Sequence, residues 1–158
     1  MRLALPAGRV RELEAHLERF YPEEGCGVLL GRDAGGMRRV ERVIGFENRQ
    51  GDSRRRRYLI EPEQFLRAER EAREAALEVV GFFHSHPDYP ARPSAFDLEH
   101  AWPYYSYLIV SVQRGRAVEA NSWRLDEDRS RFVPESVDIL AEPGAAAPAP
   151  AGEREKAG

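Results

Sequence analysis

The run at residues 77–83 (LEVVGFF), stopped by His84-Ser85-His86-Pro87, limits the folds open to this chain more than any other segment. It is short for a helix and suits a strand. Its nearly continuous apolar character predicts a strand covered on both faces. Residues 27–31 (GVLLG) form a second run of the same kind, bounded by glycine. Two such strands require a central sheet with other elements packed over it.

Residues 8–20 place Val10, Leu13, Leu17 and Phe20 at helical spacing, with Arg and Glu between them, and predict an amphipathic helix that Tyr21-Pro22 ends. Residues 33–36 read as a turn and 37–46 as the next strand. Residues 47–57 form a polar loop, and Tyr58, Leu59 and Ile60 a short strand. Pro62 opens a second helix over 62–77, rich in Glu, Arg, Ala and Leu. Residues 87–93 are a proline-rich loop. Ser94 suits the N-cap of a short helix running to about His100. Residues 105–112 and 117–125 read as two further strands. The expected fold is α+β, with a mixed central sheet flanked by two main helices and a short helix after the histidines. The expected domain covers 1–140, and the Ala/Pro-rich stretch 141–158 reads as a disordered tail.

With 158 residues and 42% apolar content, the chain can bury one core. Its net charge of −3 does not suit a general nucleic-acid binder. The single cysteine, Cys26, rules out a disulfide framework within the chain and makes a cytoplasmic setting the default. No segment approaches the roughly 18 apolar residues of a membrane span.

The chemistry gathers around the first strand. His84 and His86 sit two apart, so they project from one strand face and can share a metal ion. The helix opened by Ser94 can return Asp97 to the same point. Two histidines and one carboxylate leave a fourth position for water, whose pKa zinc lowers to about 7. Such a donor set also suits iron in other folds. A base is still needed. Glu24 is the candidate, because it precedes a strand start that can lie beside the metal strand.

Glu24-Gly25-Cys26-Gly27, then His84-Ser85-His86-Pro87, six residues, and Ser94-Ala95-Phe96-Asp97 together resemble the JAMM metalloproteases, also called the MPN+ or Mov34/PAD-1 family. The resemblance spans roughly residues 1–135. It implies one zinc ion held by His84, His86 and Asp97. It implies Glu24 as general base and Ser94 as a serine stabilising the oxyanion. It also implies hydrolysis of a peptide or isopeptide bond after the Gly-Gly end of a ubiquitin-like modifier, or release of cysteine from a sulfur-carrier protein. The substrate is then expected to add as a strand to a sheet edge. The chain is similar to short prokaryotic forms, having no long insertion around residues 48–57 or after Asp97.

Plainer readings compete at each residue. Two satisfied strand-end histidines would leave Asp97, Ser94 and Pro87 at these spacings unexplained. Ser94 can be an N-cap only, and Glu23 competes with Glu24. Cys26 reads as a small core residue rather than a nucleophile. His100 reads as a surface group or an outer neighbour of the site, and His16 as solvated. Arg54 to Arg57 form a charge run, either a solvated loop or a docking patch for an acidic partner. Trp102, Tyr104, Tyr105 and Tyr107 read as core packing, some lining a substrate groove. The alternative at the level of the whole chain is a non-catalytic MPN-type scaffold that only binds partners.

Overall fold

The computed structural model describes residues 1–47 and 59–142. In chain order the elements are β1 (Arg2–Pro6), α1 (Ala7–Phe20), β2 (Cys26–Ala34), β3 (Met37–Phe46), α2 (Pro62–Glu74), β4 (Glu78–Pro87), α3 (Ala95–His100), β5 (Ser106–Gln113), β6 (Arg116–Leu125) and β7 (Phe132–Leu140). The sheet is mixed, as expected, but it closes on itself. Its order is β1-β3-β2-β4-β5-β6-β7, and β1 returns to pair in parallel with β7. The closing strands, β1 and β7, are elements that the sequence pattern did not show.

β2 and β4 are the apolar runs, and both are buried on two faces. On one face Leu29, Val80 and Phe83 pack with Leu13 and Leu17 of α1. On the other, Val28, Leu30, Val79 and Phe82 pack with Ala68 and Ala72 of α2. Each of these large apolar side chains contributes about 1.5–3 kcal/mol by leaving water. The β2–β4 ladder skips Val80, since Leu29 pairs with Gly81 and Leu30 with Val79. This bulge resets the alternation, so that His84 and His86 follow Phe82 onto the α2 face.

Several boundaries move. β2 runs on to Ala34, so its turn narrows to Gly35 and Gly36, whose positive φ angles of 62° and 84° a side chain would resist. α2 ends at Glu74 rather than 77, because Ala76 takes a positive φ of 58° and turns the chain into β4. Leu59 and Ile60 carry no strand, and Tyr58 and Arg54 to Arg57 lie outside the described residues. Of the expected tail, Ala141 and Glu142 are described and irregular. The Glu142 carboxylate accepts from the Gly8 N–H at the start of α1, a helix end with no cap from its own neighbours. Among the described residues no helix is long and apolar enough to cross a membrane.

His16 is not solvated as expected. It lies half-buried over the sheet, Nε2 within 3.2 Å of both the Cys26 and Phe46 carbonyls, and Gly45 leaves the room its ring needs. Burial lowers its pKa; the two carbonyls oppose this and Arg19 adds to it. The neutral form is therefore the native one. The unfolded chain takes up the proton first as pH falls through about 6.5, so stability present above that pH is lost below it. In metal-free protein, the urea midpoint should fall from pH 7.5 to 5.5 more steeply in wild type than in His16→Gln. Parallel slopes would remove His16 from the account.

Candidate metal centre

β4 carries both histidines to the end of the sheet. At His84 it is paired on both sides, with Cys26 of β2 and Ile109 of β5. At that residue the strand offers no free edge. Beyond it, the chain must cross over to start the parallel strand β5, and α3 lies in that crossover. α3 is fixed by a reciprocal cap. The Asp97 N–H donates to Ser94 Oγ at 3.0 Å, and the Ser94 N–H donates to Asp97 Oδ2 at 2.8 Å. The expected N-cap is thus present, and the same bonds aim the Asp97 carboxylate at the histidines.

The three side chains converge. His84 Nε2 and His86 Nε2 lie 3.3 Å apart, and Asp97 reaches them at 3.3 and 3.1 Å. One ligand atom from each falls within 4.8 Å of the others, a set able to hold a metal ion. All three residues are buried. His86 Nδ1 lies 2.9 Å from the Pro90 carbonyl. A carbonyl only accepts, so Nδ1 carries the proton and Nε2 keeps a lone pair toward the shared point. Burial lowers the His84 pKa, against the pull of Asp97, which favours the neutral ligand form. Burial would raise the Asp97 carboxyl, but the neighbouring His84 and His86 and the Ser94 N–H hold it well below the usual carboxylate range. Two neutral imidazoles and one anion, aimed at one point, fit zinc.

Ser85, a residue the sequence reading passed over, joins this strand to Glu24. Its Oγ accepts from the Gly25 N–H at 2.8 Å, and its N–H donates to the Gly25 carbonyl at 3.0 Å. Glu24 is thereby held beside the histidines, buried at 3% exposure, and lines a cleft of about 260 Å³ with His86, Tyr89, Pro90, Arg92 and Ser94. Cys26 is fully buried and its thiol is pushed up to about 12 by burial and by Glu24, so it is no nucleophile at neutral pH. His100 is exposed, stacks on Phe96, and takes no part in the cluster.

A second cleft, of about 460 Å³, opens beside Asp97 and is lined mainly by apolar groups that include Leu59, Phe65, Phe96, Trp102 and Tyr107. Of the aromatic cluster, Tyr107 stacks on Phe82 in the core, while Trp102 is 51% exposed at this cleft.

The loop after His86 is tied down residue by residue. Asp88 accepts from the Tyr21 hydroxyl at 2.6 Å and the Arg114 N–H at 3.0 Å. The Tyr89 carbonyl accepts from Ser111 Oγ at 2.5 Å. The Ala91 carbonyl accepts from Asn121 Nδ2 and Trp123 Nε1, and the Ala91 N–H donates to Glu119. Apart from the Tyr21 bond, these come from β5, β6 and the turn between them, far along the chain, and they fix the loop that holds the Pro90 carbonyl against His86. The double substitution Asn121→Ala/Trp123→Phe should weaken zinc affinity by about tenfold, read by competition with a chromogenic chelator. Unchanged affinity in a folded variant would show that the loop holds its place without them.

The family of prokaryotic homologs of the JAB domain matches residues 6–126. The chain belongs to this family. The JAMM-type resemblance carried by the two sequence blocks therefore holds. A Thermus thermophilus member described as a probable TtuB-protein conjugate cleaving protease is 36% identical over 115 residues, 73% of this chain and 74% of its own. A desampylase of Haloferax volcanii is 40% identical over 114 residues, 71% and 78% of the two chains. The CysO-cysteine peptidase of Mycobacterium tuberculosis is 32% identical over 124 residues, 78% and 82%. The solution structure of a Desulfitobacterium hafniense protein shares the JAB-domain fold with a TM-score of 0.78 at 34% identity, covering 89% of this chain and 94% of that one.

Proposed function

We propose that this JAB-domain protein is a zinc hydrolase that cleaves the amide bond after the Gly-Gly end of a ubiquitin-like modifier or sulfur-carrier protein. The observation that carries the reading is the convergence of His84, His86 and Asp97 beside a cleft that Glu24 and Ser94 also line. It is supported by relatives described as cleaving TtuB conjugates, as desampylases and as a CysO-cysteine peptidase.

His84, His86 and Asp97 would hold the ion, and zinc there would supply Lewis acidity and lower the pKa of water to about 7. Glu24 takes the proton of the attacking water and returns it to the leaving amine. The Ser94 hydroxyl accepts from the Asp97 N–H and still has its own proton to donate to the oxyanion. The C–N bond breaks, leaving a glycine carboxylate and a free amine. The apolar cleft beside Asp97 gives the modifier's tail a surface on Trp102 and Tyr107. The scaffold alternative leaves the agreement of three buried ligands and Glu24 without a role.

The test is incubation of zinc-loaded protein with a ubiquitin-like carrier joined through Gly-Gly to a protein lysine, and with the same carrier joined to cysteine, the products being weighed by mass spectrometry. Release of the carrier with a free Gly-Gly carboxylate is expected. Binding of either conjugate without release would favour the scaffold.

A further inference from the structure

The two substrate classes of the proposed hydrolase, on which this inference rests, differ in what they put next to the scissile nitrogen. An amino acid joined through its α-amine carries its carboxylate two bonds from that nitrogen. A lysine joined through its ε-amine places four methylenes there instead.

The leaving amine takes its proton from Glu24, so the leaving residue lies in the cleft that Glu24 lines. Among the described residues one cation, Arg92, lines that cleft with Glu24, His86 and Ser94. Its backbone is fixed to the metal strand. The Arg92 N–H donates to the Pro90 carbonyl at 2.8 Å, the carbonyl that also orients His86. Ala91 before it is fully buried and bonded to Glu119, Asn121 and Trp123. The guanidinium itself is used by no ion pair or side-chain hydrogen bond shown among the described residues. The acids of the adjoining cleft, which Arg92 also lines, are already engaged. Glu135 bonds Arg124 and Ser122, and Glu119 accepts from Ala91. Among the described residues, the apolar cleft beside Asp97 has no lysine or arginine in its lining. Among the described residues, a carboxylate arriving with the leaving residue therefore finds its cation at Arg92.

We propose that Arg92 is a specificity-determining residue that pairs with the free α-carboxylate of a single amino acid joined by its α-amine to the Gly-Gly end of a carrier. A guanidinium presents two parallel donors to a carboxylate, and an amide or an uncharged lysine stem offers no such partner. A cleft of about 260 Å³ also suits one small residue better than a protein surface.

The test uses three synthetic decapeptides ending in Gly-Gly. One is α-linked to cysteine with a free carboxylate, one is its carboxamide, and one is ε-linked to N-acetyl-lysine amide. Wild type, Arg92→Ala and Arg92→Lys are compared by kcat/KM, and binding to zinc-loaded Glu24→Gln, with and without Arg92→Ala, by calorimetry. Wild type should prefer the free acid to the carboxamide by about tenfold, mostly through KM. Arg92→Ala should bring that ratio to near one, and Arg92→Lys should leave an intermediate value. A ratio near one in wild type, an unchanged ratio in Arg92→Ala, or preference for the ε-linked peptide would overturn the assignment. If no peptide is hydrolysed, the hydrolase reading fails. The calorimetric comparison still decides on Arg92, and equal binding of acid and carboxamide, including none of either, counts against it.

Discussion

Replacing Glu24 with glutamine is expected to lower kcat on a Gly-Gly amide by about 10²–10⁴-fold, with zinc content unchanged. The substitution keeps the size of a side chain that is 3% exposed, and removes only its ability to take a proton. Glu24 is held by the paired Gly25–Ser85 bonds, which are backbone on one side and do not depend on the carboxylate. Its loss should therefore show in turnover and not in metal binding or folding. Elemental analysis and single-turnover kinetics on the same preparation check this. Glu23→Gln, the neighbour that competes for the role by sequence, should keep near-full turnover. A Glu24→Gln protein as active as wild type would move the base elsewhere.

The second large effect is on the metal. Wild type should carry about one zinc per chain, and His86→Ala and Asp97→Asn should lose it on desalting. The three ligand atoms lie so close that removal of any one leaves too few donors for a structured site. The difference also reaches stability. Zinc at a hundred times its Kd adds about 2.7 kcal/mol to the form that binds it, which raises the Tm of a chain this size by roughly 5–10 °C. Neither variant should respond to added zinc. Equal thermal shifts in wild type and His86→Ala would place the ion at another site.

The centre itself was legible because its spacing is local. His84 and His86 share a strand face through the two-residue period, and Ser94 announces the helix that turns Asp97 back. The place of Glu24 at the cleft was legible from the upstream block, but not its support. Ser85 and the loop clamp by Asn121, Trp123 and Glu119 depend on which strands become neighbours, and that is settled far from those residues. The sheet closure was missed for the same reason. β1 is five residues long and β7 contains Pro134, so neither gives a clean alternation, and they pair across more than 130 residues. The bulge at Val80 cannot be read from an apolar run, since every residue there suits either face. Leu59 and Ile60 look like a strand by composition, yet they line the apolar cleft. Arg38 sits in a largely basic stretch, but the fold buries it to 1% exposure. Asp33, the Val80 carbonyl and Ser106 bond its guanidinium, and the Tyr104 ring covers it.

Hydrolysis at this centre is read from product mass in ¹⁸O-water. Zinc-loaded wild type is incubated with the α-linked Gly-Gly–cysteine peptide, and the released peptide is weighed. The expected product is a Gly-Gly carboxylate carrying one ¹⁸O, absent with Glu24→Gln and after removal of zinc. An intact peptide beside folded protein holding one zinc per chain would contradict it.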